Sequence, residues 1–97
     1  MSAPSPPDVE LALYTRAGCH LCVQMKREIA RADGALLDRL REIDVDSDPV
    51  LAARYGESVP VLAIDGRVAF KVRLTAPELL QKLERARRER ARDVRPR

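Results

Sequence analysis

The pattern of apolar and polar residues predicts a strand and then a helix at the start of the chain. Leu11-Ala12-Leu13-Tyr14 is a short apolar run between polar residues, typical of a strand buried on both faces. Cys22, Met25 and Ile29 follow at helical spacing, with basic residues elsewhere on the helical wheel. We expect this helix to stop near Gly34.

The middle of the chain predicts a second strand and a short helix. Ile43 and Val45 alternate with acidic residues, which indicates the strand. Asp48 then stands where an N-cap is expected, directly before Pro49, a residue favoured at the first helical position. This helix is expected to end at Gly56.

A hairpin and a final helix are predicted for the second half. Residues 61–64 read as a central strand, and Asp65-Gly66 is a strong hairpin turn. The returning strand is expected to bury alternate residues, namely Val68, Phe70, Val72 and Leu74. Thr75 and Glu78 have capping-box spacing, and the helix that they begin is expected to bury Leu79, Leu80, Leu83 and Ala86.

These elements have the order β-α-β-α-β-β-α, which defines the expected α/β fold. A right-handed crossover makes the first two strands parallel, and the hairpin adds two antiparallel strands. One mixed four-stranded sheet with helices on both faces satisfies this order. We expect a disordered N-terminal lead at 1–8, one domain at 9–88, and a charged, Arg-rich C-terminal extension at 89–97.

Charge is spread unevenly along the 97 residues. Residues 82–97 contain eight basic and three acidic residues, a net of +5, which leaves −2 on the rest of a chain whose total is +3. The Arg-rich end has no aromatic residue for base stacking, and its acidic residues interleave as on a solvated helix face. We therefore expect no nucleic-acid partner.

Two cysteines, Cys19 and Cys22, carry the candidate chemistry. The sequence has no apolar run of membrane-spanning length and no visible export signal, so we expect a cytoplasmic protein without a membrane partner. In a reducing compartment a close cysteine pair is typical of catalysis or metal binding rather than of a structural disulfide.

The position of Cys19 at a helix start favours its nucleophilic thiolate, because free N–H groups and the helix dipole stabilise negative charge. Cys22, three residues later, is placed to resolve a mixed disulfide at Cys19. Arg16, and His20 when protonated, are candidates for tuning the thiolate.

Two other interpretations of the cysteines stay open. The pair could belong to a metal or iron–sulfur cluster site, but His20 is the only histidine, so four ligands would require a dimer. The thiols could also simply fill the core.

The combined motifs resemble the glutaredoxin branch of the thioredoxin superfamily, and more closely its small glutaredoxin-like CxxC proteins. The matching stretches are Leu13 to Cys22, then Ile43-Asp44-Val45-Asp46, then Val59-Pro60-Val61-Leu62. The resemblance implies a thioredoxin-like fold and a thiol–disulfide oxidoreductase of the cell's redox homeostasis.

The resemblance also implies a cis peptide bond between Val59 and Pro60, with Pro60 packed against the cysteine pair. Ser58, Val59 and Pro60 would then form the substrate-binding segment, with the backbone of Val59 holding an extended substrate. The implied partners of a monomer are protein or low-molecular-weight disulfides and a thiol reductant or reductase. No cofactor is expected beyond the redox-active Cys19–Cys22 disulfide.

The sequence departs from the glutaredoxin pattern at the cysteines and before the last helix. His20-Leu21 replaces the usual Pro-Tyr between the cysteines. The Gly-Gly-x-x-Asp signature that helps hold glutathione is missing, and residues 70–75 stand in its place. We expect Phe70, Lys71 and Val72 to continue the edge strand there. We therefore expect glutathione to bind weakly as a reductant, with Lys71, Arg73 or the helix start at Thr75 as the groups that could attract its carboxylates.

Overall fold

The computed structural model describes residues 8–93 as one sheet with helices on both faces. The strands are β1 (Leu11–Thr15), β2 (Leu40–Asp44), β3 (Val61–Ile64) and β4 (Arg67–Lys71). The α-helices are α1 (His20–Ala32), α2 (Ala35–Arg39), α3 (Pro49–Tyr55) and α4 (Ala76–Asp93), and a 3-10 helix spans Val45–Ser47. The expected order of seven elements is present, with α2 and the 3-10 helix added.

The four strands lie in the order β2-β1-β3-β4. β1 pairs with β2 in parallel and with β3 in antiparallel orientation, and β4 pairs antiparallel with β3. The expected mixed sheet is therefore confirmed, with the parallel pair made by the crossover through α1 and α2.

The main core lies on one face of this sheet. Leu11 and Leu13 of β1 point into it beside Leu62 and Ile64 of β3. Helices α1, α2 and α4 cover this face with further buried side chains, which are Met25, Ile29, Leu36, Leu79 and Leu83. Burial of these aliphatic side chains is the main favourable term for folding, at roughly 1.5–3 kcal/mol for each large one.

Helix α3 covers part of the opposite face. The ring of Tyr55 packs on Tyr14 of β1 with centroids 4.4 Å apart. The expected caps are present, because the Asp48 carboxylate accepts a hydrogen bond from the N–H of Val50 and Pro49 opens the helix. Gly56 ends it, as predicted.

The second strand and the helix before it differ from the sequence prediction. β2 ends at Asp44, so Val45 is buried in the 3-10 helix rather than in the strand. The Asp44 carboxylate accepts a hydrogen bond from the N–H of Asp46, and this cap turns the chain out of the sheet. Helix α2 was not predicted, because its five residues bury only Leu36.

The hairpin turn is confirmed, but the returning strand is shorter and less regular than its pattern suggests. Asp65 and Gly66 have φ values of 52° and 81°, as a type I′ turn requires. The register then shifts, so Phe70 pairs with Leu62 while Val68 pairs with Ala63.

This β-bulge separates residues that simple alternation would place on one face. Phe70 packs on the core, whereas Val68 is 43% exposed. The strand ends at Lys71, so the expected continuation through Val72 is wrong, and Val72 has a left-handed φ of 71°. Leu74 is buried as predicted, but from a loop.

Helix α4 begins as predicted and extends through Asp93. Thr75 and Glu78 form the reciprocal bonds of a capping box, at 3.2 and 3.4 Å. Leu79, Leu83 and Ala86 lie on one helix face against the core, whereas Leu80 lies about 100° around the helix from Leu79 and is 46% exposed, contrary to expectation. No helix in the described range is long and apolar enough to cross a membrane.

Ion pairs tie both ends of the described chain to the domain. The Asp8 carboxylate lies 2.9 Å from Arg39 and 2.8 Å from Arg87, and Arg90 lies 2.8 Å from Asp65. These contacts place Asp8 of the predicted lead and Arg90 of the predicted extension against the domain. Residues 1–7 and 94–97 of the predicted lead and extension lie outside the described residues.

The ion pairs of Asp8 predict that wild type is more stable than Asp8→Asn by an amount that depends on pH. The hydrogen bond from Arg87 lowers the pKa of Asp8 to about 2. Its stabilisation is therefore present above the unfolded carboxyl pKa of about 4 and is lost as pH falls towards 2. Because the group is partly exposed, we expect Asp8→Asn to reduce the free energy of unfolding by only about 1 kcal/mol at pH 7.

Urea unfolding at several pH values measures this difference. The difference in free energy of unfolding between wild type and Asp8→Asn should decrease as the pH is lowered from 4 to 2. Glu84→Gln is a suitable control, because it removes an exposed pair with Arg88 on α4 and should change stability little. A gap that stays constant to pH 2 would contradict the assignment.

Candidate redox site

The site lies where the C-terminal end of β1 meets the N-terminal end of β3. Tyr14 pairs with Val61 across these antiparallel strands. The loop that follows β1 therefore leaves the sheet at the same edge at which Pro60 enters it. Gly18 in that loop has a φ of 76°, a conformation that favours glycine, and the chain turns there into α1.

The two cysteines form a disulfide at the start of α1, as the motif predicts. Their Cα atoms are 5.3 Å apart, inside the usual range for a bridged pair. Cys19 is the N-cap, and its Sγ accepts a hydrogen bond from the N–H of Cys22 at 3.1 Å. Cys19 is half-buried, whereas only 5% of Cys22 is exposed, so an incoming thiol or disulfide reaches Cys19 first.

The segment before β3 has the backbone that the resemblance implied. The Val59–Pro60 peptide bond is cis, and Pro60 is buried while Ser58 and Val59 are partly exposed. The Pro60 carbonyl accepts a hydrogen bond from the N–H of Val72 at 2.7 Å. This bond joins the segment after β4 to the proposed substrate-binding segment. The binding roles of Ser58, Val59 and Pro60 stay predictions.

Arg16 lies in the loop after β1 and joins this loop to the 3-10 helix and to the end of α3. Its guanidinium donates two hydrogen bonds of 2.9 Å to the Asp46 carboxylate and a third, also of 2.9 Å, to the carbonyl of Gly56. Arg16 lowers the pKa of Asp46 by this pairing. The aspartate offsets the positive charge that was expected to act on Cys19, so any tuning by Arg16 is weaker than that of a free guanidinium.

Gly56 leaves room for the contacts of Arg16. A Cβ atom at position 56 would lie 2.4 Å from the carbonyl oxygen of Ala52 and 3.0 Å from Nη2 of Arg16. The absence of a side chain therefore lets the guanidinium approach the end of α3.

Acidic residues lie on the β2 side of Cys19. Glu42 and Asp44 line a shallow surface together with Cys19, His20 and Val23. Glu42 is paired with Lys26 of α1 at 3.1 Å. His20 is exposed at the first position of α1, so its tuning role stays a prediction.

Two residues near the site were missed by sequence reasoning. Asp46 follows β2, and the parallel pairing of β1 with β2 brings it beside Arg16; this proximity could have been inferred from the strand order. Glu28 of α1 accepts a hydrogen bond from the N–H of Ala76 at 3.0 Å, a contact across 48 residues that no local pattern indicates.

In the part of the chain that the structure describes, the two cysteines are not joined by further metal ligands. Within residues 8–93, no group of three or more His, Cys, Asp or Glu side chains is arranged to hold a metal ion.

Comparison with known proteins identifies the family. The family described as Glutaredoxin-like domain (DUF836) matches residues 10–84, which is most of the chain. This protein belongs to that family. An uncharacterized protein of Mycobacterium tuberculosis is 40% identical over 68 residues, covering 65% of this chain and 68% of its own length.

Solved structures agree on the fold. A structural-genomics target from X. campestris shares 34% identity with a TM-score of 0.68, over 77% of this chain and 96% of its own. Mitochondrial thioredoxin 3 of Saccharomyces cerevisiae, in its oxidized form, has a TM-score of 0.55 at 19% identity, over 80% of this chain and 78% of its own. The chain has a thioredoxin-like fold, as its sequence predicted.

The different surroundings of the two cysteines predict selective labelling of Cys19. After reduction, its sulfur is more accessible and stays beside the N–H groups of α1, which favour a thiolate. Brief alkylation at mildly acidic pH, followed by peptide mapping, should modify Cys19 about tenfold faster than Cys22. In denaturant the difference should largely disappear. Equal or reversed rates in the folded protein would contradict the assignment.

Proposed function

We propose that this protein is a thiol–disulfide oxidoreductase that reduces disulfides by dithiol exchange. The observation that carries the proposal is the Cys19–Cys22 disulfide at the start of α1, in which Cys19, the N-cap, is more exposed than Cys22. The cis Val59–Pro60 bond at the same sheet edge and membership of the glutaredoxin-like family support it.

The exchange begins with attack by the Cys19 thiolate on a substrate disulfide. A bond forms between Cys19 Sγ and one substrate sulfur, and the other substrate sulfur leaves as a thiolate that takes up a proton. Cys22 then loses its proton and attacks Cys19 Sγ, which releases the second substrate thiol. Two electrons pass to the substrate, and the protein is left with the Cys19–Cys22 disulfide.

A thiol reductant or a reductase must return two electrons to close the cycle. In this step a reductant thiolate attacks the protein disulfide, and a second thiol releases the reduced protein as the reductant becomes a disulfide.

Replacement of each cysteine tests the assigned roles. Reduced Cys22→Ser should accumulate a mixed disulfide with a model protein disulfide, because no second thiol resolves it. The matched variant Cys19→Ser should form little adduct, since its remaining thiol is buried. Mass spectrometry of the quenched mixtures measures both. Equal adducts in the two variants would overturn the order of attack, and turnover by the double variant would overturn the function.

The start of α4 argues against glutathione as an efficient reductant. The N–H groups at a helix start commonly bind a carboxylate, but here they already donate hydrogen bonds to protein side chains. Glu78 accepts from Thr75, and Glu28 accepts from Ala76. A second obstacle is the side chain of Val72, which stands in the segment where glutaredoxins carry their Gly-Gly turn.

We expect oxidised and reduced protein to bind glutathione only in the millimolar range. Turnover in a glutathione-coupled assay should be well below that of a dithiol glutaredoxin. Glu28→Gln should tighten glutathione binding severalfold, because it removes one negative charge at the start of α4.

NMR titration with glutathione measures the affinity, and thermal unfolding of the variant verifies that α4 is intact. Glu84→Gln removes the same charge from an exposed site on α4 and should leave the affinity unchanged. Micromolar binding by wild type, with shifts around Cys19, Val59 and Thr75, would contradict the prediction.

A further inference from the structure

A groove of about 580 Å³ runs beside the redox motif, between α1 and the segment that joins β4 to α4. One wall is a face of α1 that carries Leu21, Gln24, Arg27 and Arg31, and the opposite wall includes Val72 and Arg73. Leu21, which precedes Cys22 in the sequence, lines the groove, so the groove comes within one residue of the cysteine pair.

Three arginines and two glutamates line the groove, so positive charge is in excess by one. Its carboxylates, Glu28 and Glu78, are hydrogen-bonded to backbone N–H groups at the start of α4, and Arg31 lies 3.7 Å from Glu28. Among residues 8–93, no carboxylate pairs with Arg27 or Arg73. Two guanidinium groups on facing walls are thus available to a ligand that does not need the occupied N–H groups at the start of α4.

The surface on the opposite side of Cys19 has a different charge pattern. Glu42, Asp44 and Arg16 line that surface, but Glu42 is paired with Lys26 and Arg16 with Asp46. Among residues 8–93, no Lys or Arg forms an ion pair with Asp44. A chain that lies across the disulfide therefore meets the carboxylate of Asp44 on the β2 side and the unpaired guanidinium groups of Arg27 and Arg73 on the α1 side. Such an arrangement discriminates between substrates by charge and by orientation.

We propose that this groove binds an acidic segment of a protein substrate, next to the cysteine that Cys19 attacks. The inference rests on the proposed function and names its substrate class. Arg27 follows Cys19 by eight residues, which is about 12 Å along a helix. An extended substrate advances about 3.3 Å per residue, so the Asp or Glu that Arg27 binds lies about four residues from the substrate cysteine.

Synthetic peptides test the preference directly. Each peptide carries one cysteine in a mixed disulfide with a chromogenic aromatic thiol, and either two Asp, two Asn or two Lys residues three to five positions away. The two sides of the cysteine are tested separately. We expect the reduced protein to attack the Asp peptide about tenfold faster than the Lys peptide, with the Asn peptide between them. The ratio should shrink as salt is raised.

Variants assign the preference to the groove. Arg27→Gln/Arg73→Gln should slow the Asp peptide about fivefold and leave the Asn peptide within about twofold. Arg88→Gln/Arg92→Gln changes the net charge equally, on exposed positions of α4, and should preserve the preference. Thermal unfolding establishes that each variant is folded.

The outcomes separate this inference from the proposed function. Equal rates for the three peptides, or a preference lost equally in both double variants, would overturn the acidic-segment inference while disulfide exchange stands. Failure to attack any peptide or protein disulfide would overturn both.

Discussion

The antiparallel pairing of β1 with β3 is the constraint on which the site depends. These two strands are central in the sheet, and their register places Tyr14 opposite Val61. The loop to Cys19 and the segment ending at Pro60 must therefore emerge at one edge, although about 40 residues separate them. A shift of one residue would turn Leu13 and Leu62 out of the core, so burial also protects the geometry of the redox edge.

The hydrogen bonds of charged side chains then fix the segments around this edge, and they decide which charges stay free. Arg16 is bound to Asp46 and to the end of α3, so it acts on position more than on the thiolate. Glu28 is bound to the start of α4. The charges left over, rather than the total charge of the chain, determine what approaches the disulfide. The net charge of +3 says little about this, because acidic and basic sides coexist within one site.

The features that the sequence predicts well are those with a local cause. The caps of α3 and α4, the Asp65-Gly66 turn and the buried face of α1 each follow from residues within one or two turns of one another. One periodic pattern was misleading, and one helix gave no pattern. An extra residue in β4 breaks its alternation, and α2 is too short to show a helical period.

The contacts in the site that the sequence did not predict depend on residues far apart in the chain. The partners of Arg16 and Glu28 are 30 to 48 residues away in the chain, so only the folded sheet brings them together. The family resemblance supplied the cis Val59–Pro60 bond, which composition and spacing would not have indicated.

The direction of α4 has a practical consequence for linking this domain to other molecules. The helix begins beside the groove and runs for 18 residues, about 27 Å, to Asp93. Asp8, the first described residue, contacts Arg87 in the distal half of the same helix. Both termini of the described domain thus lie towards the pole opposite the thiols. Tethering through either end, to a fusion partner or to a solid support, leaves the reactive edge facing solution.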